Sequence, residues 1–145
     1  MKSNSSSALI VGSLIWIGAL PAHADTDFSK CSLPKRVTMT KNLGDIPQPV
    51  LAQMPGLGAA NDSILTDADD PSDPITDGIP GTRLAGAFTE GTRWAVVYET
   101  GDFAHTLMVA FFSVTPEKRE ATLTSRHAGP DEIGVCAILK STFPN

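Results

Sequence analysis

The sequence has little of what most catalytic and metal sites are built from. Its 145 residues include two cysteines and three histidines, and the cysteines form no C-x-x-C pair. The G-x-S-x-G segment that marks the nucleophile of many hydrolases does not occur. The glycine-rich residues 56–61 lack a Lys and a preceding strand, which a phosphate-binding loop needs. These absences weigh against an enzyme, with a small hydrolase using His105 or His127 as the less favoured alternative.

Positive charge is also scarce. The chain has 11 Lys and Arg against 16 Asp and Glu, for a net charge of −5. Nucleic acids and anionic membrane surfaces attract proteins of the opposite charge. The composition therefore argues against nucleic acid or an anionic lipid surface as the partner.

No apolar run is long enough to span a bilayer, which takes about 20 residues. The longest run, residues 8–20, follows Lys2 and precedes an A-x-A site formed by Ala22, His23 and Ala24. This order is typical of a signal peptide. We predict cleavage near Ala24, export to the periplasm or the medium, and a single domain over residues 25–145 with no transmembrane segment.

The two cysteines lie near the two ends of the predicted exported domain. Cys31 and Cys136 are expected to form one disulfide bond, because thiols oxidise in the envelope and outside the cell. A metal site or a catalytic thiol is the less favoured alternative, since only His105 and His127 remain after residue 24.

Strand patterns dominate the second half of the chain. Two runs rich in β-branched and aromatic residues flank Gly101 and Asp102, which predicts a β-hairpin over residues 93–114. Adding its neighbours gives a small, mainly antiparallel β domain, a five-stranded meander with a short N-terminal helix at residues 46–54; an α+β description is also acceptable. The predicted strands are residues 83–88, 93–100, 103–114, 120–126 and 135–142, and residues 36–41 suit a short edge strand.

The predicted hairpins bring three polar residues into one row. With two-residue turns at Gly101-Asp102 and at Glu90-Gly91, Tyr98 lies opposite His105 and Arg83 lies opposite Tyr98. Arg83, Tyr98 and His105 are therefore a candidate anion-binding site. The alternative is a purely structural role, in which Tyr98 and His105 form a cross-strand pair and Arg83 lies in solvent beside it. A bulge at the Glu90 turn would instead move Arg83 to the face of Glu99.

Residues 61–81 form an acidic, proline-rich segment without Lys or Arg. Clustered carboxylates on a loop are the ligands that Ca²⁺ takes, so a calcium site is one hypothesis. Its candidate ligands are Asp67, Asp69, Asp73 and Asp77. The spacing fits no EF-hand register. The register from Asp67 lacks the required glycine and the final glutamate, and the register from Asp73 has Ile75 and Leu84 at ligand positions. A solvated acidic loop is the favoured interpretation, and no other cofactor is indicated.

The aromatic residues Trp94, Phe103, Phe111 and Phe112 are expected in the core rather than in a ligand groove. Together these patterns favour an exported protein-binding or inhibitory module of the cell envelope, whose partner is another envelope or secreted protein. The alternative is a β domain that binds a small ligand or Ca²⁺.

Overall fold

The computed structural model describes residues 26–62, 81–101 and 106–144. The predicted signal peptide, His105 and the candidate calcium ligands Asp67, Asp69, Asp73 and Asp77 lie outside the described residues. The disulfide and the mainly antiparallel β fold are both confirmed within them.

A six-stranded sheet forms the centre of the molecule. Five strands are antiparallel neighbours in the order β1-β3-β4-β5-β6, and the short β2 pairs in parallel with the start of β3. The strands are β1 (Thr38–Thr40), β2 (Leu57–Gly58), β3 (Thr82–Glu90), β4 (Arg93–Thr100), β5 (Leu107–Thr115) and β6 (Glu120–Gly129). Two helices complete the fold, α1 (Gln48–Leu51) and α2 (Glu132–Thr142), with 3-10 turns at Phe28–Lys30 and Leu43–Asp45.

The central strands are buried on both faces of the sheet. Residues 95–98 of β4 and 109–112 of β5 are all buried. Side chains alternate between the two faces of a strand, so an unbroken apolar run needs cover on each side. The sheet accordingly separates two apolar clusters.

The first face of the sheet is covered by α2 and by the start of the described chain. Val135, Leu139 and Phe143 are spaced four residues apart, which places them on one side of a helix. All three are buried against the sheet together with Phe28 and Cys31. Phe28 meets Phe88 of β3 edge to face, with ring centroids 5.6 Å apart.

The second face is covered by α1 and the turns beside it. Ile46, Val50 and Met54 are buried there, as the predicted apolar helix face requires. The helix is shorter than predicted, because it begins after its N-cap Pro47 and ends at Leu51. Before it, the Asp45 carboxylate accepts a hydrogen bond from Thr40 Oγ1 at 2.6 Å.

The prediction of a last strand at residues 135–142 is wrong, because this segment is the helix α2. Asp131 caps the helix by accepting a hydrogen bond from the Gly134 N–H at 2.8 Å. Glu132 lies in the first turn and Lys140 in the last, and both charges suit the helix dipole. Neither α-helix of the described residues is long and apolar enough to cross a membrane.

The disulfide joins the N-terminal segment to α2. The Cα atoms of Cys31 and Cys136 lie 5.3 Å apart, and 105 positions separate them in the sequence. The bond therefore links the two ends of the described chain over the first face of the sheet.

Reduction of the disulfide is expected to lower the free energy of unfolding by about 4–5 kcal/mol, since a loop of this length gains much entropy when it opens. Urea unfolding with and without dithiothreitol measures the difference. A Cys31→Ala, Cys136→Ala double variant is the control and should not respond to the reductant. A loss below about 1 kcal/mol would contradict the entropic account.

Gly129 ends β6 where α2 crosses over the sheet. A Cβ atom at this position would lie 2.5 Å from Val135 Cγ2 and 3.2 Å from the Val135 backbone nitrogen. The close approach of helix and strand therefore depends on the missing side chain.

Gly129→Ala is expected to cost about 1–3 kcal/mol of unfolding free energy, because an added methyl group overpacks this contact. Gly81→Ala is the matched control, since no heavy atom of the described residues lies within 4 Å of its Cβ position. Urea midpoints of the two variants test the difference. Equal midpoints would show that α2 shifts to admit the methyl group.

Candidate functional site

The predicted row of Arg83, Tyr98 and His105 is not formed. Tyr98 lies opposite Met108 of β5 and opposite Leu84 of β3. His105 is outside the described residues. The β4–β5 connection is longer than a two-residue turn, and the Thr100 N–H donates to the Thr106 carbonyl at 3.1 Å across it.

Two changes of register separate Arg83 from Tyr98, and the second of them turns Arg83 to the other face of the sheet. The β3–β4 turn is Gly91-Thr92, one residue later than predicted, with Gly91 at a φ of 63°. This change moves each pairing partner by two residues, which leaves every side chain on the same face of the sheet. A bulge between Leu84 and Gly86 then shifts the register by one residue. A shift of one transfers Arg83 to the other face, where it lies opposite Glu99.

Arg83 is instead part of a buried polar network. It is 7% exposed, and its guanidinium forms an ion pair with the Glu99 carboxylate. Its Nη1 also donates to the Asp62 carbonyl at 3.1 Å, and Thr26 Oγ1 donates to Glu99 at 3.1 Å. No buried polar side-chain atom in the described ranges lacks a partner. The network thus joins three separate segments and leaves Arg83 little capacity for a ligand.

Glu99→Ala is expected to cost about 3 kcal/mol of unfolding free energy, because it leaves the Arg83 cation buried without its partner. Chemical unfolding at pH 7 measures the change. The double variant Arg83→Met, Glu99→Leu should recover most of the loss, since no buried charge is left unpaired. Glu117→Ala, in the exposed β5–β6 turn, is the control and should leave stability unchanged. If the double variant is as unstable as Glu99→Ala, the loss comes from packing.

The residues described by the structure contain no group of three or more His, Cys, Asp or Glu placed to hold a metal ion. His127 lies exposed on β6, with its Nε2 3.2 Å from Ser125 Oγ. Its ring also meets Phe111 edge to face. Within the described part of the chain no carboxylate is hydrogen-bonded to this imidazole. Among these residues the Ser125–His127 pair has no orienting group of the kind that a catalytic triad uses.

The second face of the sheet carries an open groove with a mostly apolar lining. It has a volume of about 660 Å³ and lies between α1, the β3–β4 turn and the β5–β6 turn. Its lining is mostly apolar and comprises Pro47, Gln48, Pro49, Ala52, Gly91, Thr92, Trp94, Val114, Pro116 and Arg119. Six of these ten residues are exposed, so the groove is open to solvent.

Trp94 forms the floor of this groove and is only half-buried. The side chain packs against the second apolar cluster and also lines the groove. The sequence-based expectation of a core tryptophan is therefore met in part. The groove itself was missed, because its prolines and Trp94 come from segments far apart in the sequence.

Arg119 stands at the rim of the groove in a left-handed backbone conformation, with a φ of 53°. It is the last residue of the four-residue β5–β6 turn, where its N–H donates to the Pro116 carbonyl at 3.2 Å. This conformation costs an L-residue other than Gly roughly 1–2 kcal/mol. No side-chain partner of Arg119 exists among the described residues.

Two other arginines at this end of the sheet are paired. Glu90 forms ion pairs with both Arg36 and Arg93, which hold the β3–β4 turn beside the groove. The hydrogen bond from Arg36 lowers the pKa of the Glu90 carboxyl below its usual value. Stability gained from this lowered pKa is present above the unfolded value and is lost as the pH falls through the folded one. Arg93 also lies over the Phe143 ring, 5.5 Å from its centroid.

Comparison of the chain with protein-family models finds no match, and comparisons with curated proteins and with solved structures find no significant similarity. The groove is therefore the feature from which we infer a function.

Proposed function

We propose that the chain is exported and acts as a small protein-binding or inhibitory module of the cell envelope. The open apolar groove floored by Trp94 is the observation that carries this proposal. The predicted signal peptide and the Cys31–Cys136 disulfide support the location, because disulfides persist in oxidising compartments.

The chemistry of the groove suits a protein segment. Tryptophan is among the residues that dominate the binding energy of protein interfaces. Pro47, Pro49 and Pro116 give the groove stiff walls, so little side-chain entropy is lost when a ligand binds. The lining is mostly apolar, with hydrogen-bonding groups on Gln48, Thr92, Trp94 and Arg119, and protein interfaces have the same mixture.

The shape of the groove favours a partner protein over a small molecule. Small-ligand pockets usually enclose 70–90% or more of the ligand surface. Here most of the lining residues are exposed, and a small molecule would remain largely in water. A segment on the surface of another protein would bring the rest of the cover with it.

The test is capture of a partner through a groove variant. The full-length chain with a C-terminal tag is expected to retain one stoichiometric protein from envelope extract of the source organism. Ala52→Arg places a long side chain in the groove from an exposed position. We expect this variant to lose the partner while its urea midpoint stays that of the wild type.

The matched control is Ala137→Arg, on the exposed side of α2 and outside the groove. This variant should retain the partner in full. Retention by Ala52→Arg would place the interface elsewhere, and the absence of any stoichiometric partner would count against a protein-binding function.

A further inference from the structure

The lining of the groove carries one charge, and it is positive. Among the ten residues of the described chain that form the lining, Arg119 alone is ionisable. No carboxylate lies in the lining, so the groove favours an anionic ligand over a cationic one.

Arg119 is also free to bind. Arg36 and Arg93, at the same end of the sheet, are held by Glu90. In contrast, the Arg119 side chain is exposed, and it forms no hydrogen bond or ion pair within the described residues. A guanidinium presents a planar set of donors that matches a carboxylate.

The charge and the apolar floor are close enough for one short segment to use both. Trp94, Pro116 and Arg119 line the same groove, and Pro116 and Arg119 belong to one turn. We infer that the groove binds a segment of a partner protein in which an Asp or Glu lies next to a large apolar side chain. The carboxylate pairs with Arg119, and the apolar side chain packs on Trp94 and the prolines. This inference rests on the protein-binding function proposed above.

A random decapeptide library displayed on phage tests the inference without knowledge of the natural partner. The full-length chain is immobilised as the target, and phage are selected on it at low salt. Peptides enriched on the wild type are expected to combine an acidic residue with a neighbouring aromatic or aliphatic one. On Arg119→Gly the apolar preference should persist and the acidic preference should disappear.

Arg119→Gly is suited to this test because glycine adopts the left-handed conformation without strain. Loss of acidic selection therefore cannot be attributed to unfolding. Lys118→Gly removes a neighbouring exposed cation of the same turn that does not line the groove. This control should keep the acidic preference of the wild type.

Fluorescence locates the binding site of the enriched peptides. Trp94 is the only tryptophan after residue 24, and Trp16 lies in the predicted signal peptide. Trp16→Phe leaves Trp94 as the single tryptophan in any chain that retains this peptide. Synthetic copies of the enriched peptides should shift the Trp94 emission and bind Arg119→Gly about two- to fivefold more weakly, the effect of losing an exposed ion pair. The difference should shrink as salt is added.

Four results would overturn the inference, and they differ from failure of the proposed function. Apolar peptides without an acidic preference, an acidic preference that survives Arg119→Gly, or enriched peptides that leave Trp94 emission unchanged would each do so. A Trp94 emission that depends on protein concentration would make a second copy the occupant and would overturn it too. Absence of any enriched peptide would contradict the protein-binding function itself.

Discussion

The rest of this structure depends on the burial of two neighbouring strands, β4 and β5, on both of their faces. Residues 95–98 and 109–112 are buried without interruption, so the sheet needs a layer on each side. On the first face that layer is α2, a helix of 11 residues. On the second it is a four-residue helix with flanking turns. The short layer leaves part of the second face uncovered, and this uncovered part is the groove.

The first layer is fixed from several directions. Val135, Leu139 and Phe143 bury one side of α2, and the disulfide attaches its middle to the start of the described chain. Gly129 lets the helix approach the end of β6 closely. The second layer contains no disulfide and relies on the burial of Ile46, Val50 and Met54. A binding surface beside this layer can therefore change without loss of the apolar cluster on the first face.

The sequence predicted the strands of the central meander more successfully than their partners. Apolar runs identify β3, β4 and β5, because burial selects such residues wherever the strand lies. Register depends on the turn and on bulges, and the bulge beside Leu84 leaves no clear mark in the pattern. The helix α2 had a readable signal, since Asp131 and the four-residue spacing of its buried side chains indicate a capped helix. The β-branched residues Ile133, Val135 and Ile138 favour a strand by propensity, which explains the wrong prediction.

The candidate site was less predictable, and two arginines show why. A sequence gives the charge of Arg83 and Arg119 but not whether the fold already uses it. Arg83 is buried and paired with Glu99, so its charge serves to join segments of the fold. Arg119 is exposed, unpaired within the described residues and held in a backbone conformation that its side chain disfavours. Because the Arg119 side chain forms no hydrogen bond or ion pair within the described residues, its guanidinium is available to a partner. It stands beside an apolar groove.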